Sequence, residues 1–594
     1  MFQQALQILE RYYGYDSFRP GQERTIRSLL GGHDALGIMP TGGGKSICFQ
    51  IPALVLPGVT LVVSPLISLM KDQIDTLLNM GIPATFINSS ITGSEVGKRL
   101  RMAAKGEYKL IYIAPERLEL DSFRQLLMSL PISMVAIDEA HCISQWGHDF
   151  RPSYRRIAEL LAELPQRPRV AAFTATATPE VTRDILEYLQ IPAANVVMTG
   201  FDRGNLKFSV AKGENKHDYL QQFIRERQDQ AGIIYAATRK EVDALYELLH
   251  KKGVDVGKYH AGLTDKERKE AQERFLFDDI RVMVASNAFG MGIDKSNVRY
   301  VIHYNMPKNM EAYYQEAGRA GRDGEPGECV LLFSPQDTII QKFFIEETLL
   351  DPERKLNEYR KLQAMVDYCH TTRCLRHFIL GYFGEEAPEE CGNCGNCTDE
   401  VQMTDLTREA QMIFSCVYRM KERFGAAIVS QVLKGSRNQK VRQFGFERLP
   451  TYGLMKAYTE KEITDLIHML SAEGYLALTE GKFPVLKLTP RAGRVLKGEE
   501  PVIQKRRIVI RREEKGDEVL FDQLRRLRKE ISERENVPPY VVFPDSTLRE
   551  MSQALPVDRS AMLSIKGVGE AKFLHYGVLF MELIQDYIDN RDRA

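Results

Sequence analysis

Apolar residues come in short, nearly uniform runs at 35–39, 61–63, 110–113, 134–137 and 170–173. Each run is followed by a polar turn and usually by apolar positions at helical spacing. Strands buried on both faces and alternating with helices predict a parallel, doubly wound α/β sheet. The pattern resets near 201–207 and resumes at 232–236, 257–259, 281–285, 300–303 and 329–333. Two α/β domains in tandem are expected, over 1–205 and 206–340. Beyond 340 the strands stop. Residues 341–403 predict a helical module ending in a Cys-rich turn, and 404–503 combine helices with a hairpin-like end near 475–489. A basic stretch at 504–516 holds Lys505, Arg506, Arg507, Arg511, Arg512 and Lys515 against Glu513 and Glu514, and reads as a linker. Residues 517–594 read as a compact helical module.

Composition narrows the class. The 594 residues predict roughly four domains at about 150 residues each. Lys+Arg (80) balance Asp+Glu (80), and 44% of residues are hydrophobic. These values exclude a long disordered chain, a collagen-like fibre and a disulfide-dense scaffold. A neutral total still permits local basic faces, so nucleic-acid binding stays open. The uncharged run 51–70 is long enough for a bilayer, but Pro52, Pro57, Gly58 and Pro65 break it. A helix end, a turn and a buried strand explain it better. The first residues lack the basic start and apolar core of a signal peptide. A cytoplasmic protein is expected, whose nine cysteines are thiols or metal ligands.

The chemistry begins at Pro40-Thr41-Gly42-Gly43-Gly44-Lys45-Ser46, between a strand and a helix. Glycines let backbone N–H groups curl around phosphates, Lys45 can reach the β/γ-phosphates, and the Ser46 hydroxyl can ligate Mg²⁺. Met39 stands where the full P-loop pattern has glycine, so the match is to its second half. Asp138-Glu139-Ala140-His141 follows the 134–137 run. Asp138 there is placed for Mg²⁺ and Glu139 for the attacking water. In the second domain, Arg319 and Arg322 lie three apart in Gln315-Glu316-Ala317-Gly318-Arg319-Ala320-Gly321-Arg322-Asp323-Gly324, where they could reach a γ-phosphate across a closing cleft. The sole tryptophan, Trp146, sits with Gln145, Phe150 and Arg151 just after the acidic motif. Aromatic rings stack on unpaired bases without regard to sequence. Cys391, Cys394 and Cys397 form a tight C-x₂-C-x₂-C turn. Cys369, Cys374 and Cys416 compete as a fourth ligand, and tetrahedral Zn²⁺ suits the set better than an iron–sulfur cluster, whose usual closing Cys-Pro is missing.

PTGGGKS, DEAH, FTATAT (residues 173–178) and QEAGRAGRDG, in this order, resemble a superfamily 2 helicase. Further features narrow the resemblance to the RecQ DNA helicases, of bacterial layout. Tyr15-Asp16-Ser17-Phe18-Arg19-Pro20-Gly21-Gln22 is similar to that family's adenine-reading motif. The likeness implies stacking by Tyr15, an edge contact by Gln22 and a place for Arg19 in the same pocket. Residues 141–152 resemble its aromatic-rich loop, and 287–295 its motif V, with Ser286 and Ser296 where Thr and Pro are commoner. The resemblance covers essentially the whole chain. It implies two RecA-like P-loop domains, then a helical zinc module, a winged helix and a C-terminal HRDC domain. It selects Cys374 as the fourth zinc ligand and adds His141 to the catalytic set.

In the winged helix, Lys434, Arg437, Lys440, Arg442 and Arg448 outnumber Glu447 and could face phosphates. In the last module, Tyr540 could stack on a base. The Gly-bracketed turn with Lys566 and Lys572 could hold a phosphate. The expected activity is ATP-driven 3′-to-5′ unwinding of DNA with ATP, Mg²⁺ and Zn²⁺, in recombination and repair. Single-stranded, tailed or branched DNA is the expected substrate, and the acidic tail of a single-strand binding protein a docking partner. An ATP-switched architectural protein and an RNA helicase are the alternatives. The first lacks a reason for complete hydrolytic motifs, and the second for this C-terminal tail.

Overall fold

A computed structural model describes the chain except residues 90, 291–294, 399, 509–518, 536 and 592–594. The first domain is a seven-stranded, wholly parallel sheet of order β3-β4-β2-β5-β6-β1-β7. Its strands are β1 (Ala35–Ile38), β2 (Val59–Val63), β3 (Ala84–Ile87), β4 (Leu110–Ile113), β5 (Ile132–Ile137), β6 (Arg169–Thr174) and β7 (Val196–Met198). Every residue of β1, β2 and β4 is buried, which is why these runs are uniformly apolar. The sequence pattern does not mark β3 and β7. Both are edge strands; the buried Thr85 interrupts the run in β3, and β7 is only three residues long and ends on the exposed Met198.

The second domain repeats the plan with six parallel strands in the order β10-β11-β9-β12-β13-β8. These are β8 (Leu206–Lys212), β9 (Ala231–Tyr235), β10 (Val256–Tyr259), β11 (Val282–Ala285), β12 (Val298–His303) and β13 (Gly327–Phe333). Gly232 is required where β9 meets β12, because a Cβ there would lie 1.9 Å from the Tyr300 ring. One apolar core runs from the first sheet through the second and into helices Pro352–His370 and Leu375–Tyr382. The helical module that follows the second sheet is thus fused to both α/β domains.

The winged-helix region opens with β14 (Glu400–Asp405), continues through helices Thr407–Arg419, Ala426–Lys434, Gln439–Gln443 and Glu460–Ala472, and carries the hairpin β15 (Leu476–Leu478)–β16 (Leu486–Leu488). The expected linker starts later than its composition implies. Residues Ile503–Ile508 form β17, antiparallel to β14 with Glu400 opposite Ile508 and Asp405 opposite Ile503. A two-stranded ribbon has no interior for an apolar run to mark. The remainder of that stretch lies outside the described residues.

The last module packs helices Val519–Glu535, Asp545–Ala554, Arg559–Ser564 and Val578–Arg591 around Phe543 and Phe580. Its buried Arg528 pairs with Asp545 at 2.7 Å. It docks on the second domain through Arg549–Glu325 (2.8 Å) and Lys529–Asp279 (3.4 Å). It also reaches the first: a Cβ on Gly569 would come 3.3 Å from the Gly14 Cα. Among the described residues, no helix is long and apolar enough to cross a membrane. The uncharged run 51–70 resolves into the end of helix Lys45–Val55, a turn, β2 and the start of helix Ile67–Asn79.

Candidate nucleotide cleft and nucleic-acid interface

The P-loop leaves β1 and enters helix Lys45–Val55. Gly42 and Gly44 adopt φ of +82° and +77°, a left-handed conformation that glycine alone takes freely. Gln22 lies against this turn. Its Nε2 donates to the Gly43 and Gly44 carbonyls at 3.3 Å, and its Oε1 accepts from Arg19 N. Arg19 Nη1 donates to Gly42 O at 3.2 Å, so the predicted base-reading residues and the phosphate turn form one wall. Tyr15, four residues before Arg19, is 44% exposed. Lys45 Nζ donates to Met39 O at 3.2 Å, closing the turn on the residue that replaces the usual glycine.

Asp138 and Glu139 follow β5, and Glu139 is held at φ +49°. Burial, aided by the neighbouring Glu139 charge, pushes the Asp138 carboxyl up to about 7. Burial opposes ionisation of Glu139 as well. His141, Lys45 and Arg319 outweigh it and hold that carboxyl below its ordinary value. Burial likewise lowers Lys45, against the pull of Glu139 and Asp138. The Asp138 carboxyl and the Ser46 hydroxyl are oxygen donors of the kind a hard divalent cation takes, and a cation bound there would favour the ionised carboxylate. His141 Nδ1 lies 3.3 Å from Glu139 Oε2 and 2.9 Å from the Thr174 hydroxyl. Its ring stacks on His148 at 4.2 Å.

The second domain meets this wall directly. A Cβ on Gly42 would lie 3.6 Å from the Arg322 Cα. Arg319 is buried, and its charge acts on Glu139 while that of Arg322 acts on Lys45. Arg203, between the domains, was not identified from the sequence. It donates to Thr41 O (2.6 Å), Gly318 O (3.4 Å), Ala320 O (3.1 Å) and Gly321 O (2.8 Å), fastening the phosphate turn to the arginine segment. A lone arginine in an irregular segment carries no periodic or motif signal. Of the motif V segment, Phe289 O accepts from the Tyr235 hydroxyl and Lys295 pairs with Asp278, while 291–294 lie outside the described residues.

The aromatic-rich loop is docked rather than splayed. Trp146 is half-buried against the shared core. Its carbonyl accepts from Lys361 Nζ (2.7 Å), which also pairs with buried Glu311 at 3.0 Å. Lys308 donates to His148 O at 2.9 Å. Phe150 lies between the guanidinium groups of Arg155 (5.1 Å) and Arg354 (5.0 Å). Arg151 reaches Asp149 and Pro65 O, and Gln145 is half-buried. The loop therefore touches the acidic motif, the second domain and the zinc-module helix at once. Lys308 and Lys361 could not be read from the sequence, because their partners lie far away along the chain.

Cys374, Cys391, Cys394 and Cys397 place their sulfurs within 4.8 Å of one another. Backbone N–H groups of Leu375, His377 and Asn393 donate to three of them, as thiolates holding a metal require. Four convergent sulfurs suit tetrahedral Zn²⁺. The competing Cys369 and Cys416 are buried elsewhere. Asn393 and Arg376 bind Leu206 O, so the cluster is tied to the first strand of the second domain.

On the winged helix, Arg437, Lys440, Arg442 and Arg448 are exposed on and beside helix Gln439–Gln443, as a phosphate-facing surface needs. The last module departs from expectation. Lys566 is exposed and Tyr540 half-buried, but Lys572 turns inward and donates to Val541 O at 2.8 Å. The Gly-bracketed turn itself faces Gly14 of the first domain. Lys572 thus serves its own module, and the turn meets the first domain at Gly569 while Lys566 stays exposed.

Two parallel-sheet domains closed on a P-loop, an acidic motif and trans arginines define a nucleotide-driven helicase core. Residues 19–185 match the DEAD/DEAH box helicase family and 215–324 the helicase conserved C-terminal domain. Residues 335–398 match the RecQ zinc-binding, 400–513 the RQC and 517–584 the HRDC domains. The chain is 53% identical to the ATP-dependent DNA helicase RecQ of Bacillus subtilis (strain 168), covering 99% of each chain. It is 41% identical to the protein of that name from Pasteurella multocida (strain Pm70), covering 98% of this chain and 94% of the other. The chain belongs to the RecQ family of ATP-dependent DNA helicases.

Proposed function

We propose that this protein hydrolyses ATP to move 3′-to-5′ along single-stranded DNA, unwinding tailed or branched duplexes in recombination and repair. The observation that carries this reading is the cleft in which Arg203, Arg319 and Arg322 meet the P-loop and the acidic motif. Tyr15, Arg19 and Gln22 receive the adenine. Thr41, Gly42, Gly43, Gly44 and Lys45 cradle the phosphates. Ser46 and Asp138 hold Mg²⁺, which when bound neutralises phosphate charge. Glu139, oriented by His141, takes the proton of the attacking water. Arg319 and Arg322 steady the charge that develops on the γ-phosphate, so turnover needs a closed cleft.

Gln145, Trp146, Phe150 and Arg151 meet single-stranded DNA. Their loop reports occupancy to the acidic motif through His148 and His141. Arg437 and Arg442 take duplex phosphates, with Tyr540 and Lys566 as secondary contacts. The cysteine cluster holds Zn²⁺ as a closed structural site. The basic winged-helix face also receives the acidic tail of a single-strand binding protein, and the protein works in the bacterial cytoplasm at the nucleoid. The test is ATP hydrolysis with and without single-stranded DNA, beside unwinding of a 3′-tailed duplex. Strong stimulation with unwinding is expected. Stimulation without unwinding would make the protein a translocase, and no stimulation would break the link from the Trp146 loop to the acidic motif.

A further inference from the structure

A chain of hydrogen bonds crosses the interior of the first domain and ends at the P-loop serine. The Tyr13 hydroxyl donates to Gln50 Oε1 at 2.8 Å. Gln50 Nε2 donates to the Tyr112 hydroxyl at 3.3 Å, and that hydroxyl donates to Gln73 Oε1 at 2.8 Å. Gln73 Nε2 then donates to Ser46 Oγ at 3.5 Å. All four donors point the same way, from Tyr13 towards Ser46. Such a one-way chain polarises each successive bond in the same sense. Gln50 and Tyr112 are buried at 5% and 1% exposure, where an unmet polar atom is costly.

Four elements supply the chain. Ser46 and Gln50 share one face of helix Lys45–Val55, a turn apart. Tyr112 comes from β4 and Gln73 from helix Ile67–Asn79. Tyr13 ends a short helical turn just before Gly14 and lies two residues from Tyr15. The chain therefore joins the segment beside the base pocket to the hydroxyl beside the phosphates, from behind.

We propose that Gln73 is a positioning residue for Ser46, set by a relay that starts at Tyr13. A serine hydroxyl has one proton and two lone pairs. A donor from Gln73 occupies one lone pair and turns the hydroxyl proton away from the helix side. The other lone pair is left facing the cleft, presented to a divalent cation. Gln73 bridges Tyr112 and Ser46 with the two ends of its amide. The final link is the longest, at the one residue that must adjust when a cation arrives. This inference rests on Ser46 being a cation ligand.

The test uses the full-length protein and a fluorescent ADP analogue, bound with excess Mg²⁺ or in EDTA, with Mg²⁺ titrated into the complex. Gln73→Ala should weaken Mg²⁺ binding about fivefold, the size of one ordinary hydrogen bond. Metal-free nucleotide binding should stay at its wild-type value, while the melting temperature falls by a few degrees because the buried Tyr112 hydroxyl loses its acceptor. Gln73→Met, which keeps the bulk, should give the same shift, so the result does not depend on the alanine variant folding. Tyr13→Phe should shift Mg²⁺ binding about twofold in the same direction, and adding it to Gln73→Ala should do nothing further. Equal losses with and without Mg²⁺, no loss, or full additivity of Tyr13→Phe would overturn the relay. Ser46→Ala separates the two layers. If it leaves Mg²⁺ binding unchanged, the ligand assignment falls. If it weakens Mg²⁺ binding and Gln73→Ala does not, only the relay falls.

Discussion

The nucleotide cleft and the cysteine cluster both gather polar atoms in buried surroundings, but they are assembled in opposite ways. The four sulfurs come from one module, between Cys374 and Cys397, with backbone donors from the same stretch. The cleft draws Lys45, Ser46, Asp138 and Glu139 from one domain, Arg319 and Arg322 from another, and Arg203 from the segment between them. A site made within one module forms when that module folds and then stays formed. A site made between domains exists only while they touch, so it can be made and unmade in every cycle. Structure is served by the first kind and motion by the second.

The largest expected effect lies in the cleft. Lys45→Ala should lower ATP hydrolysis by roughly 1,000-fold, while equilibrium binding of single-stranded DNA changes little; retained turnover would show that the cleft does not depend on this lysine. Next, Cys394→Ser should abolish stoichiometric zinc in metal analysis and open residues 374–398 to proteolysis, costing several kcal/mol locally; full zinc content would mean that the cluster is not closed by these four sulfurs. Arg203→Ala separates the two kinds of site. We expect kcat for DNA-stimulated hydrolysis to fall about 100-fold with zinc content untouched. Lys361→Ala should cost less, cutting the stimulation by DNA several-fold while basal hydrolysis persists, since it frees the Trp146 carbonyl from the zinc-module helix.

The smallest effect concerns Lys572, whose ammonium is held by burial down to about 8. The unfolded module binds that proton up to the ordinary lysine value. Stability of the last module should therefore rise as pH goes from about 8 towards about 10.5, by on the order of 1 kcal/mol after solvent screening. Lys572→Met should flatten that rise in a melting series, and an unchanged slope would assign it elsewhere.

Contiguity decides what could be read before the fold was known. The P-loop, the acidic motif and the Cys turn each lie within a few residues, and their chemistry is legible from residue types at fixed spacing. Central strands such as β1 and β2 are legible because burial on both faces makes them uniformly apolar. The edge strands β3 and β7 lose that signature, and β17 looks like a linker because its partner β14 offers it no core. Arg203 and Lys361 act through carbonyls distant in sequence, at Thr41 and Trp146, so nothing local announces them. Lys572 shows the converse. A lysine in a glycine-rich turn reads as a phosphate ligand until the fold turns it inward.

The contact between Gln22 and Gly44 has a consequence for how this motor could be retuned. A methyl group at position 44 would sit 2.2 Å from the Gln22 amide nitrogen, so Gln22 and the glycine turn occupy a common boundary. On the proposed role of Gln22 as the base reader, fuel choice and fuel grip are one inherited trait rather than two. A variant selected at Gln22 to burn a different nucleoside triphosphate would arrive with a loosened hold on every triphosphate, and its recovery would have to come from compensating changes in the loop itself.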